Sequence, residues 1–90
     1  MTRYEVRVTP PARRAIESEL PEKVAAAAVE FLYGALADSP RRVGRPLRNE
    51  LEGLWSARRG EYRVIYTIDG EVVVVDVLRI DHRRDAYRPR

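Results

Sequence analysis

Arginine is the residue type best suited to chemistry in this sequence, and it is concentrated in the segment RRGEYRVIY, residues 58–66. The second half of this segment alternates like a strand, and Arg63 falls inside its apolar run. A guanidinium group keeps its charge at any working pH and matches the geometry of phosphate oxygens. Arg63 is therefore predicted to hold a negatively charged ligand. The alternatives are a solvated edge and an ion pair with Asp76 or Asp81.

Other arginines are predicted to gather around Arg63 at one end of a sheet. Arg58 and Arg59 lie just before it, across a short turn. If the following strand is antiparallel, Arg79 and Arg83 come alongside Arg63. Arginines from three segments would then form a phosphate-binding cluster.

Aromatic rings near this cluster favour a nucleic acid as the ligand. Tyr62 and Tyr87 could stack on a base, as recognition of single-stranded RNA requires. The alternative is a wet surface on which the arginines pair with carboxylates and each pair contributes little. The candidate carboxylates are Glu61, Asp81 and Asp85.

Metal and cofactor sites are not predicted. His82 is the only histidine and there is no cysteine, which excludes multi-histidine and thiolate metal sites. No Gly-rich phosphate loop and no nucleophile elbow occurs, and a carboxylate-only metal site has no motif behind it. On its own, His82 is more typical of a surface residue than of a catalytic one.

Composition predicts one soluble domain, residues 1–90. The chain is 44% hydrophobic and 34% charged, with a net charge of +3. Residues 1–40 carry five basic and six acidic side chains, whereas residues 41–90 carry twelve and eight. This asymmetry suggests a polyanionic partner, although arginine-rich, GC-rich coding would also produce it. The absence of a signal-like start, of long apolar runs and of cysteine predicts a cytoplasmic protein.

Two helices are predicted to follow a first strand near residues 4–8. Thr9 is placed to cap a short helix over residues 11–18, and Leu20-Pro21 separates it from a second helix that ends near Ala37. Apolar residues of the second helix recur on one face. They are Val24, Ala28, Phe31, Leu32, Ala35 and Leu36.

Three further strands are predicted after a basic loop over residues 41–53. They span residues 54–59, 62–68 and 71–80, and an Asp69-Gly70 turn of type I′ joins the last two. The last strand is apolar on both faces, which is typical of a central strand covered on both sides. The order β-α-α-β-β-β predicts an α+β fold in which two N-terminal helices pack on one face of an antiparallel sheet. The other face is expected to be a concave surface open to a ligand.

The segment GRPLRNELEGLWSARRGEYRVIYTIDGE, residues 44–71, resembles the core of RelE-type toxins of bacterial toxin–antitoxin pairs, in the RelE/ParE superfamily. The resemblance continues through the Val-rich strand to the motif H-R-R-x-x-Y, residues 82–87, and covers essentially the whole chain. It implies a metal-independent endoribonuclease that cuts mRNA in the ribosomal A site and inhibits translation. It also implies a cognate antitoxin as partner, in a hetero-oligomeric complex.

The resemblance assigns roles to particular residues. Arg63 and Arg83 fall where the family keeps catalytic arginines, and Tyr87 matches a tyrosine that stacks on or orients the substrate base. Histidine serves as acid or base in a related branch, which points to His82. The remaining arginines of the pattern would contact RNA: Arg58 and Arg59 as clamps on the backbone, Arg45 and Arg48 on ribosomal RNA.

The sequence departs from the better-known members at the strand before the Tyr-Arg motif. Those members carry lysines there, one of which is proposed as the general base, whereas this chain has Leu54 and Ser56. Arginine is a poor base, so His82, Tyr87, the ribosome or solvent would accept the proton. Two alternatives remain open: a ParE-like poison of DNA gyrase on the same fold, and a non-catalytic module that binds an antitoxin.

Overall fold

A computed structural model describes residues 3–80 of the chain. Five strands form one sheet in the order β1-β5-β4-β3-β2. They are β1 (Glu5–Val8), β2 (Arg45–Pro46), β3 (Trp55–Arg59), β4 (Tyr62–Asp69) and β5 (Val72–Ile80). All neighbouring pairs are antiparallel except β1 and β5, which are parallel. The α+β fold is confirmed, but the prediction of a wholly antiparallel sheet is wrong at this one pairing. The helical connection returns the chain so that β1 runs beside β5 in the same direction.

Two helical segments follow β1, as predicted. The first, α1 (Pro10–Arg14), continues as a wide π-helical turn over Ala15–Glu19. The second, α2 (Glu22–Phe31), continues in the same way over Leu32–Leu36. Thr9 caps the first helix, because its side chain accepts a hydrogen bond from the Ala12 N–H at 3.4 Å.

The core lies between these helices and one face of the sheet. Strand β4 alternates strictly, with Tyr62, Val64 and Tyr66 buried and the residues between them half-buried. Leu32 and Leu36 of the second helical segment are fully buried against the same cluster. The hydrophobic burial of this face fixes the orientation of the strands and leaves the residues of opposite parity on the other face.

The prediction that both faces of β5 are covered is wrong within the described residues. Val73, Val75 and Leu78 are buried, but Val77 on the opposite side is 38% exposed. A β-bulge shifts the register between β4 and β5, since Ile65 lies opposite Val77 whereas the next residue lies opposite Val75. The β-branched side chain of valine fits the surface of a strand even where it is only half-buried. A run of valines therefore does not by itself require two covered faces.

The basic segment predicted as a loop is more ordered than expected. It contains a four-residue helix α3 (Pro40–Val43), the short edge strand β2 and a 3₁₀ turn over Asn49–Leu51. Pro40 opens α3 because its fixed φ suits the first turn of a helix. Short elements of this kind lack a hydrophobic period, which explains why the sequence pattern does not reveal them.

Both hairpins are closed by a Gly-Glu pair. Arg59 pairs with Tyr62 across Gly60-Glu61, as predicted. In the second hairpin Asp69 still belongs to the ladder, so the turn is Gly70-Glu71 rather than Asp69-Gly70. The first glycine of each turn has a positive φ, 54° and 61°, while the glutamate does not, which is the φ pattern of type II′ rather than type I′.

Within residues 3–80, no helix combines the length and the apolar character needed to cross a membrane.

Candidate nucleic-acid interface

A row of three arginines crosses the face of the sheet opposite the helices. Arg58 of β3 lies opposite Arg63 of β4, which lies opposite Arg79 of β5. Directly opposed side chains in an antiparallel pair have Cβ atoms about 4.5–5.5 Å apart. The three guanidinium groups therefore share one patch, here called the arginine row. The predicted convergence of these three residues is confirmed.

Directly opposed like charges repel one another, so binding of an anion between them is favoured. Arg58 and Arg79 are exposed and Arg63 is half-buried, so an incoming anion can reach the row from solvent. Phosphate oxygens accept hydrogen bonds from guanidinium groups in paired, planar geometry. The arrangement suits a ligand that carries more than one phosphate, such as a nucleic-acid backbone.

A second row lies beside the first. Arg45 of β2 pairs with Ser56 of β3, and Ser56 pairs with Ile65 of β4. The Nη1 atom of Arg63 donates a hydrogen bond of 3.2 Å to the Ser56 hydroxyl. This bond ties the guanidinium to the neighbouring strand and orients it across the sheet.

The two rows border a groove of about 540 Å³. Its walls come from the basic segment on one side and from β3 and β4 on the other, and it is here called the basic groove. The lining residues are Arg42, Val43, Gly44, Arg45, Leu47, Ser56, Ala57, Arg58 and Arg63. Four of these nine residues are arginines, so the groove concentrates positive charge where a polyanion could lie.

Arg59 does not join the arginine row, contrary to the expectation that it adjoins Arg63. Successive residues of a strand point to opposite faces, so Arg59 lies on the helix side. Its guanidinium carbon sits 4.8 Å from the centre of the Phe31 ring, which is the geometry of a cation–π contact. Arg59 lines a separate cleft beside the start of α2, together with Tyr62. The structure therefore separates Arg58 from Arg59.

The two arginines predicted to meet ribosomal RNA occupy different positions. Arg45 is exposed on β2 and lines the basic groove. Arg48 is also exposed, but it precedes the 3₁₀ turn and does not line that groove. Only Arg45 is therefore brought close to the arginine row.

Three predicted site residues lie outside the described part of the chain. They are His82, Arg83 and Tyr87. Strand β5 ends at Ile80, opposite Tyr62, at the same end of the sheet as the arginine row.

The sequence reading assigned no role in the site to four residues that shape it. Arg42 lines the groove from α3, and Ser56 accepts a hydrogen bond from Arg63. The other two are Tyr66 and Gly44.

The buried Tyr66 donates a 2.6 Å hydrogen bond to the Pro40 carbonyl oxygen, and Gly44 packs against the Tyr66 hydroxyl. Burial raises the pKa of Tyr66 to about 12, so its hydroxyl remains a donor at physiological pH. A tyrosine at a core position of a strand could have indicated such a contact, because a buried hydroxyl needs a hydrogen-bond partner.

Two ion pairs involve arginines that do not line the groove. Arg3 contacts Asp38 and Arg7 contacts Glu5, each at 2.6 Å. The Arg7 guanidinium, through its hydrogen bond and its charge, lowers the pKa of the Glu5 carboxyl. Both pairs are exposed and contribute little to stability. Within residues 3–80, no group of three or more acidic, histidine or cysteine side chains is placed to hold a metal ion.

Comparison with known proteins decides the family. The model of the ParE toxin of the type II toxin–antitoxin system parDE matches residues 6–87. The chain belongs to this toxin family. The match spans every strand but the first residue of β1, and it includes the arginine row.

Relatives in the toxin family agree with the RelE resemblance. The chain is 54% identical over 85 residues to Toxin RelG of Mycobacterium tuberculosis, covering 94% of this chain and 97% of the relative. It is 52% identical over 85 residues to Toxin RelE of the same organism, covering 94% and 87%. The predicted RelE/ParE membership is confirmed.

A solved structure shares the fold. The toxin–antitoxin complex RelBE2 from Mycobacterium tuberculosis contains a chain that superposes with a TM-score of 0.84 at 47% identity. The superposition covers 88% of this chain and 99% of that chain. The likeness supports the RelE-like arrangement of helices and sheet described above.

Proposed function

We propose that this toxin is a ribosome-dependent mRNA endoribonuclease that cuts mRNA in the ribosomal A site and so inhibits translation. The observation that carries the proposal is the arginine row, Arg58, Arg63 and Arg79, aligned across three strands beside the basic groove. Three guanidinium groups in one register suit the repeated phosphates of an RNA backbone. The high identity to a protein named Toxin RelE supports the same reading.

The chemistry follows from charge stabilisation. The 2′-oxygen of a ribose attacks the adjacent phosphorus, the bond from phosphorus to the 5′-oxygen of the next nucleotide breaks, and a 2′,3′-cyclic phosphate remains. Negative charge grows on the phosphate oxygens in the transition state, and preorganised cations stabilise it. Arg63 is the central candidate, since it is the middle member of the row and is oriented by Ser56.

Two protons must move in this reaction. One leaves the 2′-hydroxyl and one is added to the departing 5′-oxygen. Arginine cannot release its proton readily, so we assign these transfers to His82, with Arg83 as a further cation and Tyr87 as the stacking group. No metal ion has a part in this scheme.

The remaining arginines would bind the RNA without reacting. Arg45 and Arg58 border the basic groove and would contact backbone phosphates, while Arg48, outside the groove, would contact ribosomal RNA. Such contacts position the nucleic acid and carry no sequence information. Arg59, which lies over Phe31, is assigned a structural role instead of the backbone contact first expected of it.

The partner is proposed to be a cognate antitoxin. The solved relative is a toxin–antitoxin complex. An acidic segment of the antitoxin would oppose the arginine row and exclude RNA, since complementary charge favours such contacts. Equal toxicity of the free toxin and of the complex in cells would contradict this part of the proposal. We also propose that residues 1–90 act as one domain in the cytoplasm, where ribosomes are found.

Poisoning of DNA gyrase is the second candidate, because the matching family model is described as a ParE toxin. Two parallel assays separate the candidates. Purified toxin is added to a cell-free translation reaction and to a gyrase supercoiling reaction. We expect translation to stop and supercoiling to proceed, and the opposite pair of results would favour the gyrase target.

A further inference from the structure

The hydroxyl of Tyr66 joins the basic segment to the centre of the sheet. Tyr66 is fully buried in β4, and its hydroxyl donates a 2.6 Å hydrogen bond to the backbone oxygen of Pro40. Pro40 is the first residue of α3 and is itself buried. This bond therefore joins the core to the start of the segment that forms one wall of the basic groove, where the Ser39 N–H also donates to the Ala35 carbonyl oxygen at 3.0 Å.

Gly44 closes the segment around the same hydroxyl. A Cβ atom at this position would lie 2.2 Å from the Tyr66 hydroxyl oxygen and 2.9 Å from the backbone oxygen of Ser56. Its φ of −133° is open to any residue, so space rather than backbone freedom requires glycine here. The close approach lets β2 pair with β3 at Ser56.

The two contacts bracket the arginines of the groove wall. Arg42 lies in α3 between Pro40 and Gly44, and Arg45 follows Gly44 directly. Both line the basic groove, whereas Arg41 of the same helix turns away and donates a 2.8 Å hydrogen bond to the Tyr4 hydroxyl. Arg42 and Arg45 are here called the wall arginines. Their positions depend on how the Tyr66 hydroxyl and Gly44 hold the segment.

We propose that the Tyr66 hydroxyl and Gly44 form an anchor that positions Arg42 and Arg45 for contact with the phosphates of bound RNA. They are positioning residues, since Tyr66 is buried beneath the groove and Gly44, which lines it, has no side chain with which to bind RNA. The inference rests on the proposed function, because it takes the groove as the binding surface for single-stranded RNA. It goes beyond that function by assigning a role to a tyrosine buried beneath the groove and to a glycine in the groove wall.

The hydroxyl can be removed without emptying the core. The Tyr66 ring stacks on Trp55 with centroids 6.4 Å apart, and a phenylalanine ring would keep that packing. Tyr66→Phe then removes one hydrogen bond and leaves the Pro40 carbonyl without this donor. Gly44→Ala instead forces β2 outward. Gly34→Ala is the matched control, since an added Cβ at Gly34 meets nothing within 4 Å.

The first test measures the segment directly. Amide hydrogen exchange is compared between the wild-type toxin and the variants Tyr66→Phe and Gly44→Ala. We expect faster exchange confined to residues 40–47 in both variants, and no change in Gly34→Ala. Unchanged exchange over these residues, or faster exchange throughout the sheet, would overturn the anchor.

The second test measures RNA binding with a single-stranded RNA oligonucleotide at several salt concentrations. We expect Tyr66→Phe to weaken binding about three- to ten-fold, the scale of one hydrogen bond. Arg45→Gln should weaken wild-type binding and reduce the salt slope by about 0.7, the value for one phosphate contact on a single strand. In the Tyr66→Phe background, Arg45→Gln should weaken RNA binding by a much smaller factor than in the wild type. Arg79→Gln should weaken RNA binding by the same factor in both backgrounds.

The outcomes separate the anchor from a general loss of stability. If Arg45→Gln weakens RNA binding equally in the wild type and in Tyr66→Phe, the positioning role is overturned. A general loss of stability in Tyr66→Phe would leave the contribution of Arg45 to binding unchanged. If the wild type binds RNA as described but cuts no mRNA on ribosomes, the proposed function fails and the anchor stands. If the wild type binds no RNA, both fail.

Discussion

Three side chains of the arginine row have opposed positions but different surroundings. Arg63 is half-buried in the middle strand and is bound to Ser56, whereas Arg58 and Arg79 lie exposed on either side. The middle position has the least freedom to move, so Arg63 is the group best placed to hold a fixed geometry about a phosphate. Fixed donors stabilise a transition state more than mobile ones do, because no reorganisation is needed when charge develops.

Replacement of Arg63 by glutamine tests this assignment. Arg63→Gln keeps a polar side chain of reduced length and removes the charge, and we predict that mRNA cleavage falls about 100-fold or more. The thermal midpoint should change little, since Arg63 is only half-buried and glutamine is also a hydrogen-bond donor. The measurement is the cleavage rate in a translating extract, beside a thermal melt of each protein.

Arg7→Gln is the matched control for Arg63→Gln. Arg7 is also a strand arginine, but it lies on β1 opposite Val74 and pairs with Glu5. Its replacement should leave cleavage within a factor of about two, because an exposed pair contributes little. A comparable loss in both variants would mean that overall charge, rather than the row, determines activity.

The pKa of Tyr66 predicts how stability depends on alkaline pH. The folded protein holds this pKa at about 12, above the ordinary value of 10.0. As the pH rises, the Tyr66 hydroxyl therefore loses its proton in the unfolded chain before it does so in the folded protein. The contribution of Tyr66 to the free energy of unfolding is complete below pH 10 and is lost as the pH rises towards 12. Denaturant melts should show the free energy of unfolding falling across this window.

Tyr66→Phe should show a smaller fall over the same window. Part of the fall persists in the variant, because burial also raises the pKa of Tyr62. An identical alkaline decline in the wild type and in Tyr66→Phe would contradict the assignment to Tyr66.

At the scale of elements, the hairpins align the arginines. The β3–β4 turn sets Arg58 opposite Arg63. The β4–β5 turn, at the far end of the sheet, sets Arg63 opposite Arg79 only together with the β-bulge, which shifts the register by one residue between Ile65 and Tyr66. A one-residue slip in either ladder would turn a whole strand over and move its arginine to the helix side. The turns are therefore part of the site although they touch no ligand.

Gly60→Ala and Gly70→Ala test the contribution of the turns. Both glycines have a positive φ, 54° and 61°, and an added Cβ meets no atom within 4 Å at either. Each variant should lose about 1–2 kcal/mol of stability from backbone strain. Because Gly60 lies beside the arginine row and Gly70 at the far end, only Gly60→Ala should also weaken RNA binding beyond its effect on stability. Equal binding losses would contradict this division.

The alternation of apolar residues predicted most of the sheet. Residues 62–66 read as a strand with one buried face, and the predicted turn at Asp69-Gly70, one residue early, still implied an antiparallel partner, which brought Arg79 close to Arg63. The same alternation also required Arg58 and Arg59 to face opposite sides, so that the grouping of both with Arg63 conflicted with the period of a strand.

Other features of the site depend on contacts between distant residues and leave little trace in the sequence. The hydrogen bond from Tyr66 to Pro40 spans 26 residues, and the space that requires glycine at position 44 is defined by two other strands. The parallel pairing of β1 with β5 spans more than 60 residues, as the contact of Glu5 with Val72 shows. Local periodicity carries no information about pairings at such separations.

In the molecule as a whole, positive charge is concentrated on one face of the sheet. The arginine row, Arg42 and Arg45 lie there, whereas the described helices expose side chains of both signs, such as Arg13, Glu17 and Lys23. Such a concentration of charge steers a polyanion to one face and raises the association rate at low salt.

Binding of RNA should therefore depend strongly on salt. If Arg42, Arg45, Arg58, Arg63 and Arg79 each neutralise one phosphate, the logarithm of the binding constant should fall with the logarithm of salt concentration with a slope of about −3.5. Fluorescence anisotropy with a labelled single-stranded RNA measures this slope. A slope near zero would mean that stacking or other uncharged contacts dominate binding.

Removal of divalent metal ions should leave the chemical step intact. The proposed mechanism assigns charge stabilisation to arginines and proton transfer to His82. Ribosomes need magnesium, so the control compares toxin treated with a chelator and then desalted with untreated toxin in the same extract. Equal cleavage is expected, and a loss that added zinc or manganese restores would contradict the mechanism.

Cleavage of mRNA on the ribosome by means of the arginine row can be measured by primer extension. A defined mRNA is translated in a cell-free reaction with purified wild-type toxin. We predict new 5′ ends within A-site codons that appear only when ribosomes are present and are absent with Arg63→Gln. Intact mRNA in a reaction that contains folded toxin and active ribosomes would contradict it.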